Sequence, residues 1–166
     1  YKVVVEKEQV INNLSLLCVD EEGQKQLYEQ QEWSEKTYSR AYRSYELRYV
    51  QRLEQGNSLC LRAKFAVAAD SLKLYNGQYS SVEAAEKSRK EIETTAVDDA
   101  YDFEVQNGDN KICVVTENSG VKKLYNIEIS VKQVESSFSY SLSANYSLTG
   151  STALNGDKKL TFELQS

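Results

Sequence analysis

The chain has 166 residues and a mass of 18.9 kDa, with 20 basic and 25 acidic side chains, a net charge of −5, and no histidine, proline or methionine. Without histidine there is no Ser-His-Asp or Cys-His nucleophile pair, no HExxH zinc site and no imidazole shuttling protons near neutral pH, which excludes most hydrolase and metalloenzyme designs. A hydrophobic share of 40% and a charged share of 27% describe one ordinary globular domain, 1–166, and no stretch approaches the ~20 apolar residues of a membrane-spanning helix.

The first segment, Tyr1 to Val5, is β-branched and alternating, and reads either as an opening strand or as the start of a longer helix reaching Val19. From Asp20 the composition turns to Glu, Gln, Lys, Leu and Arg, all good helix formers. Tyrosines at 38, 42, 45 and 49, followed by Leu53, advance by four, three, four and four, which keeps them on one helical face. Gly56 offers a stop. A hairpin competes with this helix, with Tyr45–Leu53 and Leu59–Val67 as its arms and Gln55-Gly56-Asn57 as its turn. Leu59, Leu61, Ala63, Phe65 and Val67 alternate strictly, whereas Leu61, Phe65, Ala68, Leu72 and Tyr75 form a helical stripe. The alanines at 63, 66, 68 and 69 favour the helix.

Further on, Ser80-Ser81-Val82-Glu83 carries the S-x-x-E capping pattern and predicts a helix to about Thr94, with Ala100 as its furthest end. Beyond Tyr101 the apolar period becomes two. Tyr101–Val105, Lys111–Thr116, Leu124–Val134, Phe138–Leu148 and Lys159–Leu164 read as strands, separated by turns such as Asn107-Gly108-Asp109-Asn110 and Asn118-Ser119-Gly120. In Phe138–Leu148, Phe, Tyr, Leu and Ala take one face and mainly Ser the other, as in a sheet with one buried side. Short connections predict a meander, because parallel neighbours need long crossovers. The expected fold is α+β: a mainly helical part, 1–100, packed on an antiparallel sheet of about five strands, 101–166.

Residues 36–64 hold seven basic side chains against Glu46 and Glu54, in a chain that is acidic elsewhere. Arginines interleaved with aromatics bind anionic polymers or glycans by charge and stacking. Tyr38, Tyr42, Tyr45, Arg48, Tyr49 and Arg52 are therefore the candidate binding residues. The alternative is that the tyrosines pack inward and the arginines pair with nearby acids. A pI near 5.0 argues against a dedicated nucleic-acid binder. Asp98, Asp99, Asp102, Glu104, Asn107, Asp109 and Asn110 form an acidic cluster, but without the spacing of a calcium loop, so neither a metal nor another cofactor is expected. Cys18, Cys60 and Cys113 make no CxxC motif; Cys60 and Cys113, each in an apolar segment, are the pair for a disulfide, with three reduced, buried thiols as the other reading.

These features point away from an enzyme. They suggest a structural or protein-interaction component of a cell envelope, surface appendage or extracellular assembly, with partners that include copies of itself joined through a sheet edge. The other reading is a binding module for an anionic polymer or glycan at 36–64. Export to the periplasm, the cell surface or the medium is expected from the Tyr, Ser, Thr and Asn usage, with Tyr1 read as a processed terminus or the start of a fragment.

Overall fold

The computed structural model describes residues 8–39 and 42–135. Within them the chain is mostly strand, with one short helix, and this overturns the expected α+β fold with its helical first half. One sheet, A, contains β1 (Ile11–Val19), β2 (Lys25–Leu27), β5 (Ser58–Phe65), β8 (Thr95–Val97) and β9 (Ala100–Val105), in the order β2-β1-β5-β9-β8. The other, B, contains β3 (Gln31–Tyr38), β4 (Tyr42–Tyr49), β6 (Ser71–Asn76), β7 (Glu91–Ile92), β10 (Gly108–Asn118) and β11 (Val121–Gln133), in the order β3-β4-β11-β10-β6-β7. All pairings are antiparallel except β4 with β11, which is parallel and joins segments far apart in the sequence. The meander expected after residue 101 is therefore not formed: β9 and β10 follow one another in sequence but belong to different sheets.

The tyrosine stripe is the main correction. Tyr42, Tyr45 and Tyr49 lie on β4, where burial alternates: Arg43, Tyr45, Leu47 and Tyr49 point inward, and Tyr42 takes the other face. Steps of four fall on one side of a helix and of a strand alike; only the step of three between Tyr42 and Tyr45 distinguishes them. The competing hairpin has the right kind of element but the wrong partner. β5 is a strand, yet it pairs with β1 and β9, while β4 pairs with β3 and β11.

The inner faces of the two sheets share one core. Leu14 and Leu16 stand opposite Ala63 and Leu61 on sheet A, and Phe103 faces Leu61 across the next ladder. Sheet B contributes Tyr45, Leu47, Ile112, Val114, Ile127 and Ile129. Full burial of each such aliphatic side chain is worth about 1.5–3 kcal/mol. The alternation fails in β10, where Ile112 to Thr116 are all buried. Its inner face meets the core, and its outer face carries Cys113 and Val115 under a second cluster with Tyr75 and Ala85.

That outer cover is α1 (Val82–Lys87), much shorter than the helix predicted from the capping pattern. The cap itself is Ser81 rather than Ser80: its hydroxyl accepts from the Ala84 N–H at 3.1 Å. The helix ends at Ser88, and Arg89 follows with φ 55°, so the chain turns into β7 and β8 where a helix was expected. Between β10 and β11, Ser119 and Gly120 have φ 50° and 78°, the two positive angles of a tight hairpin turn. The strand readings at Tyr1–Val5, Phe138–Leu148 and Lys159–Leu164 lie outside the described residues. No helix among the described residues is long and apolar enough to cross a membrane.

Candidate functional site

The six residues singled out from the Tyr/Arg segment do not converge. Tyr38 ends β3, and its backbone alone is described. Tyr45 is fully buried, its ring centroid 6.1 Å from that of Trp33. Tyr49 is buried against Tyr28, with centroids 4.9 Å apart, and its hydroxyl donates to Asn107 Oδ1 at 3.4 Å. Tyr42 is half-buried on the outer face; desolvation and then the nearby Glu128 carboxylate raise its pKa. Arg48 is exposed and bonds Glu32 at 3.3 Å, and Arg52 lies in the β4–β5 connection at one end of the sandwich.

Lys36, Arg48, Arg62 and Lys64 of this segment each have a carboxylate partner. Lys36 and Lys132 both reach Glu46, at 2.6 and 2.7 Å, and hold its carboxyl down at about 2. Lys64 pairs with Asp99. Arg43 is buried with its guanidinium 5.6 Å from the centre of the Tyr125 ring.

The best-built charged group was not singled out as a site in the sequence. Asp102, 3% exposed on the outer face of sheet A, accepts two parallel bonds from Arg62 (Nε to Oδ1, 2.8 Å; Nη2 to Oδ2, 2.9 Å) and one from Lys25 Nζ at 2.7 Å. The fork is formed because Arg62 and Asp102 are direct cross-strand partners. Those bonds hold the Asp102 carboxyl below the usual carboxylate range against the opposing effect of burial. Alternation places both residues on one face, but only the β5–β9 register makes them neighbours. The same face holds Cys60, whereas Cys113 lies on the outer face of sheet B. Both are free thiols, and burial pushes both up, Cys113 to about 11.

A depression of about 420 Å³ lies near the β9–β10 corner and includes Glu104 and Asp109 from the acidic cluster. Its Asn110 side chain is committed to the turn. Nδ2 donates to the carbonyls of Gln106 and Gly108, and Oδ1 accepts from the Gln106 N–H. Among the described residues no group of three or more His, Cys, Asp or Glu side chains is placed to hold a metal.

Sheet edges remain. Sheet A ends in β2 and β8, three residues each, and sheet B ends in β7, two residues, and in β3, eight residues. The bond from Val50 N–H to the Gln30 carbonyl, 3.3 Å, sets the phase of the β3–β4 ladder. By the alternation of antiparallel pairs, Glu32 and Ser34 then bond toward β4, while the N–H and C=O of Gln31, Trp33 and Glu35 face outward. A bulge at Lys36 ends this straight stretch. Its other end is anchored by the Gln31 carboxamide, which accepts from the Leu16 N–H at 2.5 Å and donates to the carbonyls of Tyr28 (2.7 Å) and Leu16 (3.3 Å). Neither this anchor nor the edge is visible in hydrophobic periodicity. Comparison with known proteins gave no match to a family model, a curated protein or a solved structure.

Proposed function

We propose that the chain is a non-enzymatic interaction component of an envelope, surface or other extracellular assembly, and that it associates with further copies of itself along β3. The observation that carries this reading is the edge. Among the described residues β3 is the one edge strand longer than three residues, and Gln31, Trp33 and Glu35 offer three consecutive outward donor–acceptor pairs. By sequence, the chain also contains a donor of suitable pattern: Phe138–Leu148 alternates apolar and polar over eleven residues and lies outside the described region. The reading as a binder of anionic polymers has less support, since Lys36, Arg48, Arg62 and Lys64 already have acidic partners.

Glu35→Pro removes an outward N–H and leaves the bonds to β4 in place. Light scattering of the full chain across a concentration series is expected to show association that this substitution weakens by roughly tenfold or more, the equivalent of about 1.4 kcal/mol. A strictly monomeric full chain at high concentration, or association unchanged by Glu35→Pro, would overturn the proposal.

A further inference from the structure

The β3 edge has an apolar side. Trp33 stands opposite Leu47 of β4, on the face that lines the core, and its ring meets that of Tyr45. Leu47 and Tyr45 are fully buried, whereas Trp33 is only half-buried. Among the described residues β3 is the last strand of sheet B on that side. A strand laid along Gln31–Glu35 would bond their outward backbone groups and, with apolar side chains on its core-side face, would cover the open flank of the indole.

Two segments of this chain can be compared as the occupant. A second copy of β3 would bring Glu32 and Glu35 of each molecule together, and Gln31–Glu35 contains no cation; like charges on neighbouring strands weaken a pairing. Phe138–Leu148 has no charged residue, no glycine and no proline, and Phe, Tyr, Leu or Ala occupies every second position. As a strand it would present one wholly apolar face to the indole. Reach argues for delivery from another molecule. Val134 is held at the end of β11, its N–H bonded to the Tyr49 carbonyl at 2.7 Å. The place beyond β3 is three strand spacings from β11, about 14 Å. The chain covers that distance between Val134 and Phe138 only when fully straight, at ~3.5 Å per residue.

We infer, on the reading that β3 is the association edge, that its occupant is the segment Phe138–Leu148 of a neighbouring copy. Each molecule then donates a strand at one place and accepts one at another. Such a head-to-tail contact repeats into rings or open chains and does not stop at a dimer.

The test uses the full chain and two variants. Glu35→Pro spoils the acceptor edge; Leu142→Pro combined with Ser143→Pro spoils the donor, because successive N–H groups point to opposite sides of a strand and one of the two faces β3 in either strand direction. Light scattering of the unchanged chain is expected to show species larger than a dimer that grow with concentration. Each variant alone should associate at least tenfold more weakly. An equimolar mixture should recover association, but only as a heterodimer, since one intact edge and one intact donor remain. Acrylamide quenching of Trp33, the chain's one tryptophan, should fall as association proceeds. A monomeric unchanged chain, or indifference to Glu35→Pro, overturns the β3 reading and this inference with it. Association that saturates at a dimer, that persists in the double variant, or that fails to return in the mixture overturns the inference alone.

Discussion

The carboxamide of Gln31 sits where the chain passes from β2 on one sheet to β3 on the other, and it bonds backbone groups of both Leu16 and Tyr28. Replacement by leucine retains much of the volume but leaves an N–H and two carbonyls with fewer partners. Gln31→Leu is expected to lower stability by roughly 2–4 kcal/mol, read as a reduced urea midpoint at unchanged slope. Asp102 works through charge. Its folded-state pKa is depressed, first by the Arg62 bonds and then by the Lys25 bond, so its ionised form stabilises the fold. That contribution is complete above the unfolded carboxyl value, about 4, and is lost as pH falls through the lower folded value. Glu46, held at about 2, acts in the same direction. Urea midpoints should therefore be flat in carboxylate terms between pH 7 and about 5 and fall below about 4. Asp102→Asn should lower the pH 7 midpoint, because it leaves two cations without their shared carboxylate, and should flatten part of the acid slope.

At the level of elements, the sequence was readable where a local cause acts alone. The strands read at Tyr101–Val105, Lys111–Thr116 and Leu124–Val134 fall within β9, β10 and β11 or within a residue of their ends, and the Ser119-Gly120 turn follows from its residue types. The start of α1 was readable to within one residue, because a cap depends on a few adjacent groups. The end of α1 was not, because good helix formers continue to Glu93 while the chain leaves the helix at Ser88 to build β7. A different ambiguity hid β4: tyrosines four residues apart share one face of a helix and one face of a strand alike. Pairing was the least accessible property. Alternation tells which face a residue takes, not which strand lies beside it, and so neither the Arg62–Asp102 fork nor the β3 edge could be foreseen. The role of α1 as a cover for Cys113 gives the cap a measurable effect. Ser81→Ala should cost about 1 kcal/mol of local stability and accelerate thiol labelling of Cys113, with Cys60 labelled at its original rate. Equal acceleration of both thiols would mean that the cap acts on the whole fold.

For the molecule as a whole, the chain moves repeatedly between its sheets. Sheet A draws on segments from β1 to β9, and sheet B draws on segments from β3 to β11. No contiguous piece of the described chain completes either sheet, and the two share one core. Global loss of both sheets in a single transition is the expected behaviour. Ile129, fully buried on β11 and opposite Tyr45 of β4, is the position to test this. Ile129→Ala should cost about 2–5 kcal/mol. It should move the fluorescence of Trp33, on sheet B, and the reactivity of Cys60, on sheet A, to the same lower denaturant midpoint. Separate midpoints would show two independently melting layers.

The parallel contact of β4 with β11 also has a mechanical consequence. β11 lies between β4 and β10, registered with the first over eight residue pairs and with the second over eleven. Tension applied along the strand through its C-terminal end loads both ladders sideways, so many hydrogen bonds share the force at once instead of opening one after another. The same strand that closes the sheet across the length of the chain is thus the one best placed to bear a pull.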